Sequence, residues 1–344
     1  MIAARLHKYH EALAVEQIDE PRITEPFDVI VKVGGAGLCR TDLHIQEGQW
    51  AEKSGVQLPY VLGHENAGWV HEIGSAVTNV EVGDTVIVHP LITCGLCRAC
   101  RAGDDVHCAN NLFPGISVDG GFAELLKTSA RSVVKLDPTL HPKDIAALAD
   151  AGLTAYHAVK KAVSVLHPGS RAVVIGAGGL GHIGIQCLKA MTPAEIIVVD
   201  PSEKARALAG EIGADSTVAA DGTQVDTILE MTDGAGAEAI IDFVGERGAI
   251  EDGVAMLREA GSYYVIGYGE NINVPTIDII SREINFIGNL VGSYNDLAEL
   301  MTLTAQGKVT LHTAGYPLDA VNDAMADLDQ GRLQGRGILI ANAA

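Results

Sequence analysis

The sequence is short of positive charge. Its 344 residues carry 24 Lys and Arg against 44 Asp and Glu, a formal net charge of −20 at pH 7. Phosphate backbones and anionic bilayers repel such a chain, so no nucleic acid and no membrane is expected as a partner. No run of 18 apolar residues occurs, which argues against a membrane-spanning helix. Met1–Tyr9 lacks the apolar stretch of a signal peptide, so the expected location is cytoplasmic. Small molecules remain as the expected ligands.

What is present fits a folded, multi-domain chain. Hydrophobic residues make up 47% and charged residues 20%, which excludes wholesale disorder. The 39 glycines exceed the usual share of about 7%, so many backbone positions must turn sharply or approach something closely. Up to about residue 150 the pattern is β-rich. Short apolar or alternating runs such as Val29–Val33, Ala67–Ile73 and Thr85–Val88 are bounded by Gly, Pro and Asp, as in a small barrel or sandwich. The rhythm then changes. The runs Ala172–Ile175, Ile196–Val199, Ala239–Val244 and Tyr263–Ile266 alternate with helical patterns at 180–191, 203–212, 225–231 and 248–258. Unbroken apolar strands between helices predict a parallel sheet covered on both faces. Helical patterns at 296–306 and 318–327 precede a last strand from Gly337.

The first chemical signal follows the strand 172–175. Gly176-Ala-Gly-Gly-Leu-Gly181 is a G-x-G-x-x-G turn that opens a helix. The first glycine makes the turn, the second lets backbone approach a pyrophosphate, and the third packs helix on strand. The helix N-terminus supplies N–H donors. Asp200 ends the next strand, 24 residues after Gly176. A carboxylate there accepts hydrogen bonds from the adenosine ribose and repels a 2′-phosphate, which predicts NAD over NADP. Lys204 and Arg206 lie close by and soften that preference.

The second signal is sulfur. Of six cysteines, Cys94, Cys97, Cys100 and Cys108 fall within fifteen residues. In a chain of this size such a cluster points to metal rather than to a disulfide framework. Four thiolates make a closed structural zinc site, and an iron–sulfur cluster uses the same ligands. The polar segment Arg98–Asp105 argues against four merely buried thiols.

Cys39 stands in Gly37-Leu-Cys-Arg-Thr-Asp-Leu-His44, and His64 and Glu65 in Gly63-His-Glu-Asn-Ala-Gly68. Singly, such residues are more often packing than ligands. With the four-cysteine lobe, the dinucleotide turn and a C-terminal Gly335-Arg-Gly337, the order of motifs resembles the zinc-dependent medium-chain alcohol dehydrogenase family over essentially the full length. Within it, Asp150 in Leu148-Ala-Asp-Ala-Gly-Leu-Thr-Ala-Tyr-His157 makes the chain most similar to bacterial NAD-dependent secondary-alcohol dehydrogenases. Many members carry a cysteine at that point.

The resemblance implies an α/β protein of two domains. Residues 1–152 and 291–344 would form a GroES-like β-barrel catalytic domain with a zinc lobe at 94–108. Residues 153–290 would form a doubly wound Rossmann domain. It implies two zinc ions per chain, the catalytic one held by Cys39, His64 and Asp150, with Glu65 beside it as a transient ligand. Asp42 would fix the ring of His64, and Thr41 would pass the alcohol proton by way of the cofactor ribose to His44. Arg40 and Arg336 would clamp the pyrophosphate. Thr154, Gly179, Leu180 and Val265 would complete the cofactor site, with Lys204 at the ribose because Ala205 stands where members often carry Lys or Arg. Trp50, His89, Phe113, Leu290 and Val291 would line the substrate pocket. A small or medium neutral secondary alcohol and its ketone are the expected substrates, ahead of polyols and L-threonine. A non-catalytic NAD-binding scaffold would have lost a ligand or the relay, and neither is missing. A homotetramer is expected before a homodimer.

Overall fold

The computed structural model describes residues 1–333 and 335–342, with the side chain of Lys53 left aside. The chain divides into two compact units. The first comprises Met1–Leu153, Ser293–Ala305 and Thr310–Ala344, and the second Thr154–Gly292 and Gln306–Val309. The seams thus fall after Leu153 and Gly292, so Val291 lies in the second unit.

The first unit is mainly β. Its larger sheet has seven strands, in the order Thr313–Pro317, Arg336–Ile340, Asp28–Gly37, Glu65–Ile73, Thr85–Val88 and Val133–Lys135, with Leu125–Ser129 also pairing on Asp28–Gly37. Asp28–Gly37 is the spine of this arrangement. Gly37 lies opposite Glu65 on one side and Ile338 on the other, so the chain's C-terminal strand reaches the metal-ligand motifs. Val29, Val31 and Val33 are fully buried in the core of this unit with Leu6, Leu62 and Leu126. A second, three-stranded sheet joins Ala14–Gln17, Ile2–Leu6 and Tyr60–Val61.

The second unit holds a six-stranded sheet, parallel throughout, ordered Ser216–Ala219, Glu195–Asp200, Arg171–Ile175, Ala237–Asp242, Leu257–Val265 and Asn285–Gly288. The first strand in sequence lies in the middle and the order reverses beside it. That reversal opens a crevice at the strands' carboxyl ends, where such sheets bind nucleotides. Buried β-branched side chains explain the strands: Val173, Val174, Ile196, Ile197 and Ile240 are all at 0% exposure. Two expectations need correction. The helix drawn over 248–258 ends at Met256, and the strand expected from Tyr263 begins at Leu257. The register slips between Ala237 and Ala239, and Ala260 adopts a φ of 54°, so a bulge lets polar residues Arg258 and Glu259 continue a strand that sequence periodicity hides. Among the described residues no helix is long and apolar enough to cross a membrane.

Candidate active site

Cys39 follows the strand Asp28–Gly37 and stands at the N-terminal boundary of the helix Arg40–Gln46. Its backbone N–H donates to Oδ2 of Asp42 at 2.9 Å, so Asp42 closes the first turn of its own helix. The other oxygen, Oδ1, faces Nδ1 of His64 at 3.4 Å. One carboxylate therefore both caps the helix and lies beside the imidazole. His64 immediately precedes the strand Glu65–Ile73, and Asp150 links the 3-10 turn Ala146–Ala149 to the helix Ala151–Ala162. Nε2 of His64 lies 3.5 Å from Oδ2 of Asp150. Ligand atoms of Cys39, His64, Glu65 and Asp150 all lie within 4.8 Å of one another.

This cluster is rich in negative groups and nearly dry: Asp42 and Glu65 are fully buried and His64 is at 1% exposure. Burial alone would lower the pKa of His64, but Asp42, Asp150 and Cys39 outweigh it and hold the ring well above its ordinary value. Burial also pushes the Glu65 carboxyl up, against the opposing pull of Arg336. The first shift reflects the negative neighbours of the ring and the second the burial of the carboxyl,. Asp42 Oδ1, His64 Nδ1, Glu65 Oε2 and Asp150 Oδ1 are buried with no hydrogen-bond partner, a costly state for polar atoms. A divalent cation would answer it. With Nε2 of His64 on the ion, the Nδ1 proton points at Asp42, which is the usual outer support of a metal-bound imidazole. Thiolate, imidazole and carboxylate are all zinc donors, so the residues present fit zinc.

The four-cysteine lobe is a second cluster, with all four sulfurs within 4.8 Å of one another. Cys94 and Cys100 are 4.0 Å apart, and Cys97 and Cys100 3.5 Å. These gaps are far too long for a disulfide but bracket the sulfur–sulfur edge of about 3.8 Å that bonds of about 2.3 Å make in a ZnS₄ tetrahedron. Backbone N–H groups of Cys97 and Asn110 point at sulfur, to Cys94 at 3.4 Å and to Cys108 at 3.4 Å. N–H donors at Cys100 and Ala109 pull the Cys97 thiol down to about 6, and burial pushes Cys100 up to about 12. The short helix Arg98–Ala102 ends on Gly103, whose φ of 78° needs no side chain,.

In the second unit the glycine turn sits between the strand Arg171–Ile175 and the helix Gly181–Met191. Gly176 has a φ of 88°, and a Cβ on Gly181 would stand 1.8 Å from its carbonyl oxygen. A Cβ on Gly178 would meet nothing within 4 Å, so the space beside it is open. Asp200 is buried, and its Oδ2 accepts from Ala177 N at 2.8 Å while Oδ1 accepts from Ser202 N at 2.7 Å. The carboxylate thus braces the glycine turn. Arg206 Nη1 donates to the Asp200 carbonyl oxygen at 2.6 Å, while Lys204 is exposed.

Comparison with known proteins now adds to this geometry. Residues 25–138 match the model of the alcohol dehydrogenase GroES-like domain, and residues 179–306 that of the zinc-binding dehydrogenases. The chain belongs to the zinc-dependent medium-chain alcohol dehydrogenase family. An alcohol dehydrogenase from the hyperthermophilic archaeon Aeropyrum pernix superposes with a TM-score of 0.95 at 46% identity, covering 99% of this chain and 100% of that one. A NAD-dependent alcohol dehydrogenase of Sulfolobus acidocaldarius is 36% identical, covering 98% of this chain and 99% of its own length. A D-arabinose 1-dehydrogenase (NADP(+)) of Saccharolobus solfataricus is also 36% identical, covering 98% and 97%. The architecture is therefore the GroES-like domain joined to a Rossmann-type sheet.

The remaining motif residues of this family member fall as follows. Thr41 and His44 are half-buried on one helix, three residues apart, and Arg40 is exposed. Phe113 packs its ring edge-to-face against His64, with centroids 5.9 Å apart, so an apolar ring lies directly against one member of the cluster. His89 is buried and Trp50 half-buried in the same unit. Thr154, Val265, Leu290 and Val291 belong to the second unit, where Leu290 is 58% exposed and Val291 is buried at a φ of 48°. Arg336 is buried at 4% exposure and donates from Nη2 to Glu65 Oε1. Sequence reasoning placed Arg336 at the cofactor and overlooked this pair. No local sequence signal reveals the pair, because it depends on which strands flank Gly37.

Proposed function

We propose that this chain is a NAD-dependent alcohol dehydrogenase that interconverts small or medium neutral secondary alcohols and their ketones. The observation that carries the reading is the convergence of Cys39, His64 and Asp150 on one buried point whose polar atoms lack partners. These three would hold the catalytic zinc, and Cys94, Cys97, Cys100 and Cys108 a second, structural one, giving two per chain. When bound, zinc supplies Lewis acidity toward the substrate hydroxyl and NAD supplies the hydride acceptor. Asp42 fixes the ring of His64 from behind. The Thr41 hydroxyl takes the proton of the alcohol, and His44 receives it at the end of the relay. Phe113, with Trp50 and His89, excludes water and shapes an uncharged pocket. Gly176, Gly178, Gly179, Leu180 and Gly181 cradle the pyrophosphate with Arg40, Asp200 and Lys204 select the adenosine ribose, and Thr154 and Val265 flank the nicotinamide.

Support for NAD over NADP is the Asp200 carboxylate, which a 2′-phosphate would have to approach. The relative that acts on D-arabinose gives a second substrate class, sugars and polyols, a specific place in the test, and L-threonine joins it as the other alternative. A homo-oligomer, tetramer before dimer, goes with the same reading. The open edge strand Asn285–Gly288 and the exposed Ile277 and Ile280 support self-association,.

The experiment is NADH formation, followed by absorbance, with primary alcohols, secondary alcohols, polyols, D-arabinose and L-threonine. Secondary alcohols should turn over fastest, with NAD preferred to NADP. Chelation should abolish the rate and added zinc restore it. A rate indifferent to metal removal would contradict the proposal, and a polyol or D-arabinose leading the panel would move the substrate assignment to that class.

A further inference from the structure

The glycine turn contains a peptide that its own two residues do not fix. A flip of the peptide joining Gly178 to Gly179 changes only ψ of the first and φ of the second. Glycine has no Cβ to resist either change. For an anion the difference is large. A trans peptide is planar, so its C=O and N–H point in opposite directions. One orientation offers a phosphate the Gly179 N–H, and the flipped one offers it the Gly178 carbonyl oxygen, which repels it.

The restraint comes from the helix that follows. The Gly178 carbonyl oxygen is paired twice with His182, with its backbone N–H at 3.1 Å and with ring Nδ1 at 2.9 Å. A carbonyl oxygen only accepts, so Nδ1 carries the proton. The backbone bond belongs to a first helical turn, and helix ends fray; the ring adds a second donor to the same oxygen. His182 is at 0% exposure, so its ring cannot turn away into solvent. The helix beneath it is pinned as well. Phe243 donates its N–H to Ile175 O at 3.0 Å, and its ring fills the place that a Cβ on Gly184 would take, 2.6 Å away. Asp200 uses the Ala177 N–H. Among the described residues the N–H groups of Gly178, Gly179 and Leu180 donate to no protein acceptor.

We propose that His182 is a positioning residue for the cofactor: its imidazole holds the Gly178 carbonyl against the helix and so keeps the Gly179 N–H turned outward for the pyrophosphate. Without the ring donor the Gly178–Gly179 peptide would sample both orientations, and only one of them accepts an anion. This rests on the NAD reading above.

The test is equilibrium binding of NAD, ADP and adenosine to the NAD-free protein, by titration calorimetry. His182→Leu removes the donor and keeps apolar bulk. It should weaken NAD and ADP by about 10-fold, the scale of one hydrogen bond, and leave adenosine, which has no phosphate, at the parent affinity. His182→Asn brings an amide N–H to the position of Nδ1 and should restore both phosphate ligands. His182→Met, also without a donor, repeats the test with the same expected direction if the leucine variant does not fold. Parent affinity for NAD in a variant without the donor would overturn the proposal. Equal losses for adenosine and NAD would overturn it too, since they would report general damage to the unit. So would a loss that His182→Asn fails to repair. A parent chain that binds neither NAD nor ADP would overturn the NAD reading itself, and this inference with it.

Discussion

Asp150→Ala is expected to lower kcat/KM for alcohol oxidation by at least about 10³-fold, about 4 kcal/mol of transition-state stabilisation, which is the scale of a Lewis acid's contribution. NAD affinity should be unchanged, because the glycine turn and Asp200 that would bind it lie in the other unit. The two readouts separate a lost metal ligand from a lost fold. Asp150 is half-buried with Oδ1 unpartnered and Oδ2 3.5 Å from His64. Removing it leaves Cys39 and His64 as a two-point site that binds zinc poorly. Asp150→Cys returns a third donor of the kind zinc accepts readily and should recover most of the activity. Steady-state kinetics and a NAD titration on the same preparations check both statements. An alanine variant with full activity would remove Asp150 from the ligand set.

Gly181→Ala is expected to weaken NAD binding by about 10–100-fold and also to lower the melting temperature of the NAD-free protein, a cost of about 1–3 kcal/mol from forcing a methyl into filled space. The added Cβ would lie 1.8 Å from the carbonyl oxygen of Gly176. That neighbour is backbone, so no rotamer relieves the contact, and the turn itself must open. Gly178→Ala makes the contrast. Its Cβ would meet no protein atom within 4 Å, so the NAD-free protein should melt as the parent does, while the pyrophosphate loses its close approach and affinity falls. Equal melting temperatures for the parent and Gly181→Ala would contradict the packing argument.

The parts legible in the sequence were those with a local cause. The parallel strands announce themselves as unbroken β-branched runs, and the glycine turn follows one of them directly. The zinc lobe is legible because its ligands fall within a single stretch, Cys94 to Cys108. Cys39, His64 and Asp150 are far apart in the chain, and no pattern of spacing joins them; only the family resemblance did so. The Arg336–Glu65 pair was hidden for the same reason, since it depends on the pairing of Arg336–Ile340 with Asp28–Gly37, a long-range choice. Asp42 reads in sequence as a helix-capping residue or an imidazole support; one oxygen closes the first turn of its helix and the other lies 3.4 Å from His64 Nδ1. Leu257 was hidden by the bulge, which interrupts the alternation that reveals strands. Asp200 was expected to face a ribose, and its additional grip on Ala177 N could be seen only once the strand had brought it under the turn.

The most direct test of a hydride-transfer site built on zinc is where the metal sits. Anomalous diffraction at the zinc edge, on crystals of the protein as purified, should show two peaks per chain. One should lie among Cys94, Cys97, Cys100 and Cys108. The other should lie about 2.0–2.3 Å from Cys39 Sγ, His64 Nε2 and an Asp150 oxygen, with Glu65 outside that distance. A peak in the lobe alone, from protein that turns over alcohol, would contradict it.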